Sequence, residues 1–147
     1  MSRTHVAAAL CTSFLLSLGC AGMSSDAMPT TAWSQSAVTQ LASQLASELQ
    51  TLYTTAYKEP ELTGEQAAEQ STLNDLRILS EGASGLAKDL SDGKTMADTR
   101  DHFEHIQEIA RDLQVSDSWE YLPKRFTSQA DTAFSLIKQL DAYYGTR

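Results

Sequence analysis

The side chains with the most chemistry in them lie close together in MADTRDHFEHIQEIARDLQ, residues 96 to 114: Asp98, Asp101, His102, Glu104, His105, Glu108 and Asp112. His102 and His105 are three residues apart, and Asp98 to His102 and Asp101 to His105 are each four apart. On a helix both spacings place side chains next to one another. Imidazole beside carboxylate is a donor set for zinc, copper or nickel. Asp98, Asp101, His102 and His105 are therefore the candidate metal ligands. The competing reading is a solvated acidic face that carries two histidines, because a single helix by itself offers too few ligands for a closed site. His105 groups with Asp98, Asp101, Glu108 and Asp112 opposite the apolar Phe103 and Ile106, while His102 flanks the apolar seam.

Other chemistry finds less support. Di-iron bundles place Glu-x-x-His on two helices, but Thr99 and His102 stand where those glutamates would be. There is no Cys-x-x-Cys-His for haem attachment, no Gly-x-Ser-x-Gly elbow and no glycine-rich phosphate loop. The chain is read as non-catalytic and without a cofactor. Tyr53 and Tyr57, four apart beside an apolar helix face, suit contact with a protein partner. Trp119, Tyr121 and Tyr143 are expected to plug the ends of the fold.

Four amphipathic segments must position these residues. The first runs from about Trp33 to Tyr57, with Trp33, Ala37, Leu41, Leu45, Leu49, Leu52 and Ala56 on one face. Pro60 ends it. Thr63 and Gln66 form a capping-box pattern for the second, whose face is Leu73, Leu76, Leu79, Ala83, Leu86 and Leu90, and Gly93 suits its C-terminal cap. Thr95 and Asp98 open the third, with Thr99, Phe103, Ile106, Ala110 and Leu113 facing inward. Asp117 and Glu120 cap a short turn before the fourth, where Phe126, Ala130, Ala133, Ile137, Leu140 and Tyr144 make a heptad seam. Valine occurs only at 6, 38 and 115, and no strand pattern competes. The expected fold is all-α, an antiparallel up-down-up-down four-helix bundle over residues 33–147.

Charge narrows the partners. The chain carries 11 basic and 19 acidic residues, a net −8. An acidic surface with no basic stripe is a poor ligand for nucleic acid or anionic lipid.

Location is written in residues 14–22, FLLSLGCAG. Arg3 precedes an apolar run from Val6 to Leu18 with no charged residue from Thr4 to Gly19. That run is short of the roughly 20 residues of a membrane span and matches the basic start, apolar middle and small-residue cut of an export signal. Leu16-Ser17-Leu18-Gly19-Cys20 resembles the lipobox of bacterial lipoprotein precursors. Gly19 and Cys20 fit it, while Ser17 and Leu18 stand where that family usually has leucine and a small residue. The resemblance covers residues 1 to 21 and implies cleavage before Cys20, lipidation of its thiol and, from Ala21 after the cysteine, sorting to the outer membrane facing the periplasm. Residues 1–19 are then a lipoprotein signal peptide, 20–32 a lipidated flexible tether and 33–147 the bundle. Cys11 is the only other cysteine, so the body has no disulfide or thiolate metal site.

The expected function is a lipid-anchored cell-envelope bundle acting as a partner-binding or scaffold module. The alternative is a small-ligand or metal-ion binder centred on His102 and His105. A weaker third reading extends the heptad seams into a homodimer.

Overall fold

Long runs of leucine, alanine, glutamine and glutamate make helices favourable, and their punctuation sets where each one stops. The computed structural model describes residues 31–58, 66–115 and 124–145. It contains α1 (Gln35–Tyr57), α2 (Gln66–Ser91), α3 (Met96–Val115) and α4 (Lys124–Tyr144). The expected signal, Cys20, the Thr63 cap, the Asp117–Glu120 cap, Trp119 and Tyr121 lie outside the described residues.

The α2–α3 corner is made as the sequence pattern requires. Gly93 adopts φ +85°, the left-handed region in which glycine carries no Cβ penalty. Gly93 N–H donates to the Leu90 carbonyl at 3.2 Å and Lys94 N–H to that of Asp89 at 3.0 Å, the paired bonds of a Schellman cap. Two residues later Thr95 and Asp98 close a capping box. Thr95 N–H donates to Asp98 Oδ2 at 2.9 Å, and Asp98 N–H reaches back to Thr95 Oγ1 at 3.4 Å. The chain thus reverses with the Asp89 and Leu90 carbonyls and the Asp98 N–H satisfied.

Each helix buries one stripe. Thr99, Phe103, Ile106, Ala110 and Leu113 of α3 are all buried, as are Phe126, Ala130, Ala133, Ile137, Leu140 and Tyr144 of α4. In α2 Leu76, Leu79, Ala83, Leu86 and Leu90 are buried, but Leu73 is only half-buried and Thr72 takes its place inside. α1 departs from expectation in its first half: Val38 and Ala42 are buried, while Trp33, Ala37 and Leu41 are half-buried. Extending the Leu45–Leu49–Leu52–Ala56 stripe backwards in steps of four and three lands on Ala42 and Val38. Leu41 lies at the edge of that stripe, and the smaller Ala42 occupies its centre.

Cross-helix bonds establish the directions. Gln35 at the start of α1 donates through Nε2 to the carbonyls of Leu90 and Lys94, both at 3.0 Å, beyond the middle pair Ser80 Oγ to Gln50 Oε1 at 3.2 Å. α1 and α2 are therefore antiparallel. Gly82 against Ile106 and Gly85 against His102 give the same sense for α2 and α3. Gln107 with Asp141, and Thr99 with Tyr144, give it for α3 and α4. Thr31 N–H donates to the Ala142 carbonyl at 2.7 Å, bringing the start of α1 to the end of α4. The contacts run α1–α2, α2–α3, α3–α4 and α4–α1, a square up-down-up-down bundle. The α3–α4 side is the most sparsely packed of the four.

The two ends differ. At the near end, where the chain leads into α1, Tyr144 stacks on Phe103 with ring centroids 4.3 Å apart, and meets Trp33 edge-on at 5.2 Å. Tyr144 is 2% exposed. The far end gathers the C-termini of α1 and α3, and there Tyr57 is 68% and Val115 76% exposed.

Candidate functional site

α3 does not bring the candidate metal ligands together. Asp98 is committed to the capping box, and its bonds to the Thr95 hydroxyl and N–H hold its carboxyl below the usual carboxylate range. His102 is 31% exposed and turns toward α2, with Nδ1 3.6 Å from Asp89 Oδ2. His105 lies on the outer face, Nδ1 3.9 Å from Glu108 Oε2. Asp101 is exposed. Among the described residues no group of three or more His, Cys, Asp or Glu side chains is placed to hold a metal ion. Helical spacing made these residues neighbours. The packing of α3 on α2 then gave His102, at the edge of the seam, a partner in Asp89 and left His105 on the outer face.

His102 has instead a structural setting that its sequence neighbours do not reveal. Asp89 accepts from Lys94 Nζ at 2.9 Å and faces His102. The Lys94 bond, reinforced by the lysine's charge and by His102, holds the Asp89 carboxyl below its usual range against the opposing effect of burial. The histidine ring lies over Gly85: a Cβ there would meet His102 Cε1 at 2.8 Å. Gly82 similarly lets Ile106 approach, its notional Cβ 3.4 Å from Ile106 Cγ1. These two glycines inside a helix were the available signal, since each costs about 1 kcal/mol relative to alanine unless packing uses the space.

Tyr53 and Tyr57 do meet, with ring centroids 5.9 Å apart and planes tilted by 40°. Tyr53 is half-buried against the core, while Tyr57 projects into solvent. Tyr143 is half-buried against the core at the near end, as the plugging role expects.

A groove between α3 and α4 was not anticipated. It is open to solvent, with a volume of about 850 Å³. Ala110, Ile137 and Phe134 form its apolar floor, and Glu104, Glu108 and Asp131 stand among its walls. Gln107 Nε2 donates to Asp141 Oδ1 at 2.8 Å, tying the helices within it. Its signal in sequence was faint: Gln107, Gln114, Asp131 and Asp141 flank the seams of two helices whose separation no periodicity encodes.

No protein-family model matches the chain, and neither a curated protein nor a solved structure matches it. Among the described residues no helix is long and apolar enough to cross a membrane.

Proposed function

We propose that this protein is a lipid-anchored partner-binding module of the bacterial cell envelope, non-catalytic, held to the membrane through Cys20 and facing the periplasm. The Leu16–Cys20 resemblance to a lipobox supports the anchor. One observation carries the binding role: the chain leads into α1 beside Trp33 and Tyr144, whereas the exposed Tyr57 stands at the opposite end of the same helix. A helix of 23 residues is about 34 Å long at roughly 1.5 Å per residue. The point where the chain enters the bundle at Trp33 and a contact at Tyr57 are thus separated by the length of the bundle, and the contact surface is offered away from that entry point. Tyrosine is well suited to that role, with a broad apolar ring, few rotatable bonds and one polar tip.

The anchor is tested by fractionating bacteria that express Cys20→Ser. The variant is expected in the soluble periplasmic fraction, and its retention in membranes would overturn lipidation. The partner role is tested by placing a photo-crosslinker at Tyr57 in the full chain in cells. Reproducible capture of one envelope protein is expected. Only random neighbours from that site, and from a second crosslinker on the groove at Ser135, would count against the role.

A further inference from the structure

The most sparsely packed side of the bundle, between α3 and α4, carries an open groove of about 850 Å³, floored by buried Ala110 and Ile137 and half-buried Phe134. Seen along α3, the wall runs from Glu104 through Glu108 and Arg111 toward Val115. Val115 follows Arg111 by one turn, so its exposed side chain continues that wall to the far end. The Gln107–Asp141 bond spans the helices toward the near end.

We propose that this groove receives an amphipathic helix whose apolar stripe is flanked by lysine or arginine. The inference rests on the partner-binding reading and adds to the Tyr57 contact a second surface, between α3 and α4, together with its partner's chemistry. Shape argues for a helix. The lining residues on α3 run from Glu104 to Gln114, a straight channel about 15 Å long at ~1.5 Å per residue, which accommodates about three turns of a third helix laid between two others. Charge sets the sign of the partner. Four carboxylates, Glu104, Glu108, Asp131 and Asp141, line the groove against two cations, Arg111 and Lys138. Arg100 Nη1 lies 4.0 Å from Glu104 Oε1, at the outer limit of an ion pair. The whole chain is also net −8, so an anionic helix is repelled at long range and a cationic one is steered in. A second copy of this chain is a poor occupant for the same reason. In addition, the α4 heptad seam from Phe126 to Tyr144 is buried in its own core and has nothing left to extend into a dimer.

The test uses the full chain as bacteria process it, in detergent, and a synthetic leucine–lysine peptide of about four turns at ~3.6 residues per turn, patterned as an amphipathic helix. Two comparison peptides are needed, one scrambled with the same composition and one with glutamate in place of lysine. Saturable binding of the patterned peptide is expected, with neither comparison peptide bound. Reversing two exposed rim charges, Glu108→Lys with Asp131→Lys, is expected to weaken that binding about tenfold and to admit the glutamate peptide, with the far-ultraviolet circular dichroism unchanged. Equal binding of the scrambled peptide would reduce the effect to bulk charge and overturn the proposal. So would a native mass showing that a second copy fills the groove. If Tyr57 crosslinks capture an envelope protein and the double reversal leaves that capture intact while the peptide fails to bind, the groove assignment falls and the partner role stands. If no crosslink forms from either site, the partner role itself falls.

Discussion

Tyr144 shows what a single residue contributes here. Its ring completes the core, and its hydroxyl is 2.8 Å from Thr99 Oγ1. Thr99 already donates to the Thr95 carbonyl at 2.9 Å, so Tyr144 is the donor to Thr99. Burial pushes the phenol above its usual range, outweighing the opposing effects of Thr99 and Arg100. The unfolded chain therefore loses this proton first as pH rises past about 10. Stability from this group is fully present below that pH and declines as pH climbs toward the raised folded value. Lys88, held above its usual range chiefly by its bond to Asp92, tilts the same alkaline limb. Tyr144→Phe separates the two contributions. It is expected to cost about 1 kcal/mol at neutral pH through the lost hydrogen bond and to flatten the fall of melting temperature between pH 9 and 11. An alkaline limb as steep as that of the parent protein would show that Tyr144 does not drive it.

At the scale of elements, the α2–α3 contact is organised by two glycines with different neighbours. Gly82→Ala adds a methyl at ordinary contact distance from Ile106 and removes the helical glycine penalty, so a gain of about 0.5–1 kcal/mol is expected. At Gly85 the same methyl meets the His102 ring at 2.8 Å, and the ring must leave Asp89 to admit it. The gain in helix propensity is then offset, and Gly85→Ala is expected to fall clearly short of Gly82→Ala in thermal melts. Equal stabilisation by both would mean that His102 moves aside without loss. The elements themselves were largely legible. The Gly93 stop and the Thr95–Asp98 start are chemistry within a few residues, readable from spacing alone. The inward faces of α3 and α4 were readable as well, because their apolar residues are large and flanked by charge. α1 was read less well in its first half, since Leu41 and Ala42 are both apolar and the larger side chain drew the reading, although the stepping of the later stripe points to Ala42.

For the whole molecule, the near end is a continuous cluster. Trp33 just before α1, Phe103 of α3 and Tyr144 of α4 meet there, and Gln35 ties α1 to the end of α2. Such a core is expected to unfold as one cooperative unit. Phe103→Ala removes the stacking partner of Tyr144 and leaves a cavity, at a cost of about 3–5 kcal/mol, a large share of the roughly 5–15 kcal/mol typical of a domain. Urea titrations followed by circular dichroism and by tryptophan fluorescence should shift together to lower midpoints. Separate transitions by the two probes would mean that the ends of the bundle melt independently.

The sequence by itself determined the class of fold, the direction changes and most of each buried stripe, because these follow from local spacing, caps and the 3.6-residue helical repeat. It also determined the acid balance and the lipobox-like N-terminal segment, which are matters of composition and order. Only the tertiary structure decided that His102 turns to Asp89 of α2, that Gly82 and Gly85 serve the α2–α3 contact, and that α3 and α4 stand apart over a groove. Those outcomes depend on the rotation and separation of helices. Both are set by the summed packing of side chains distant in sequence, which no single stretch of chain contains.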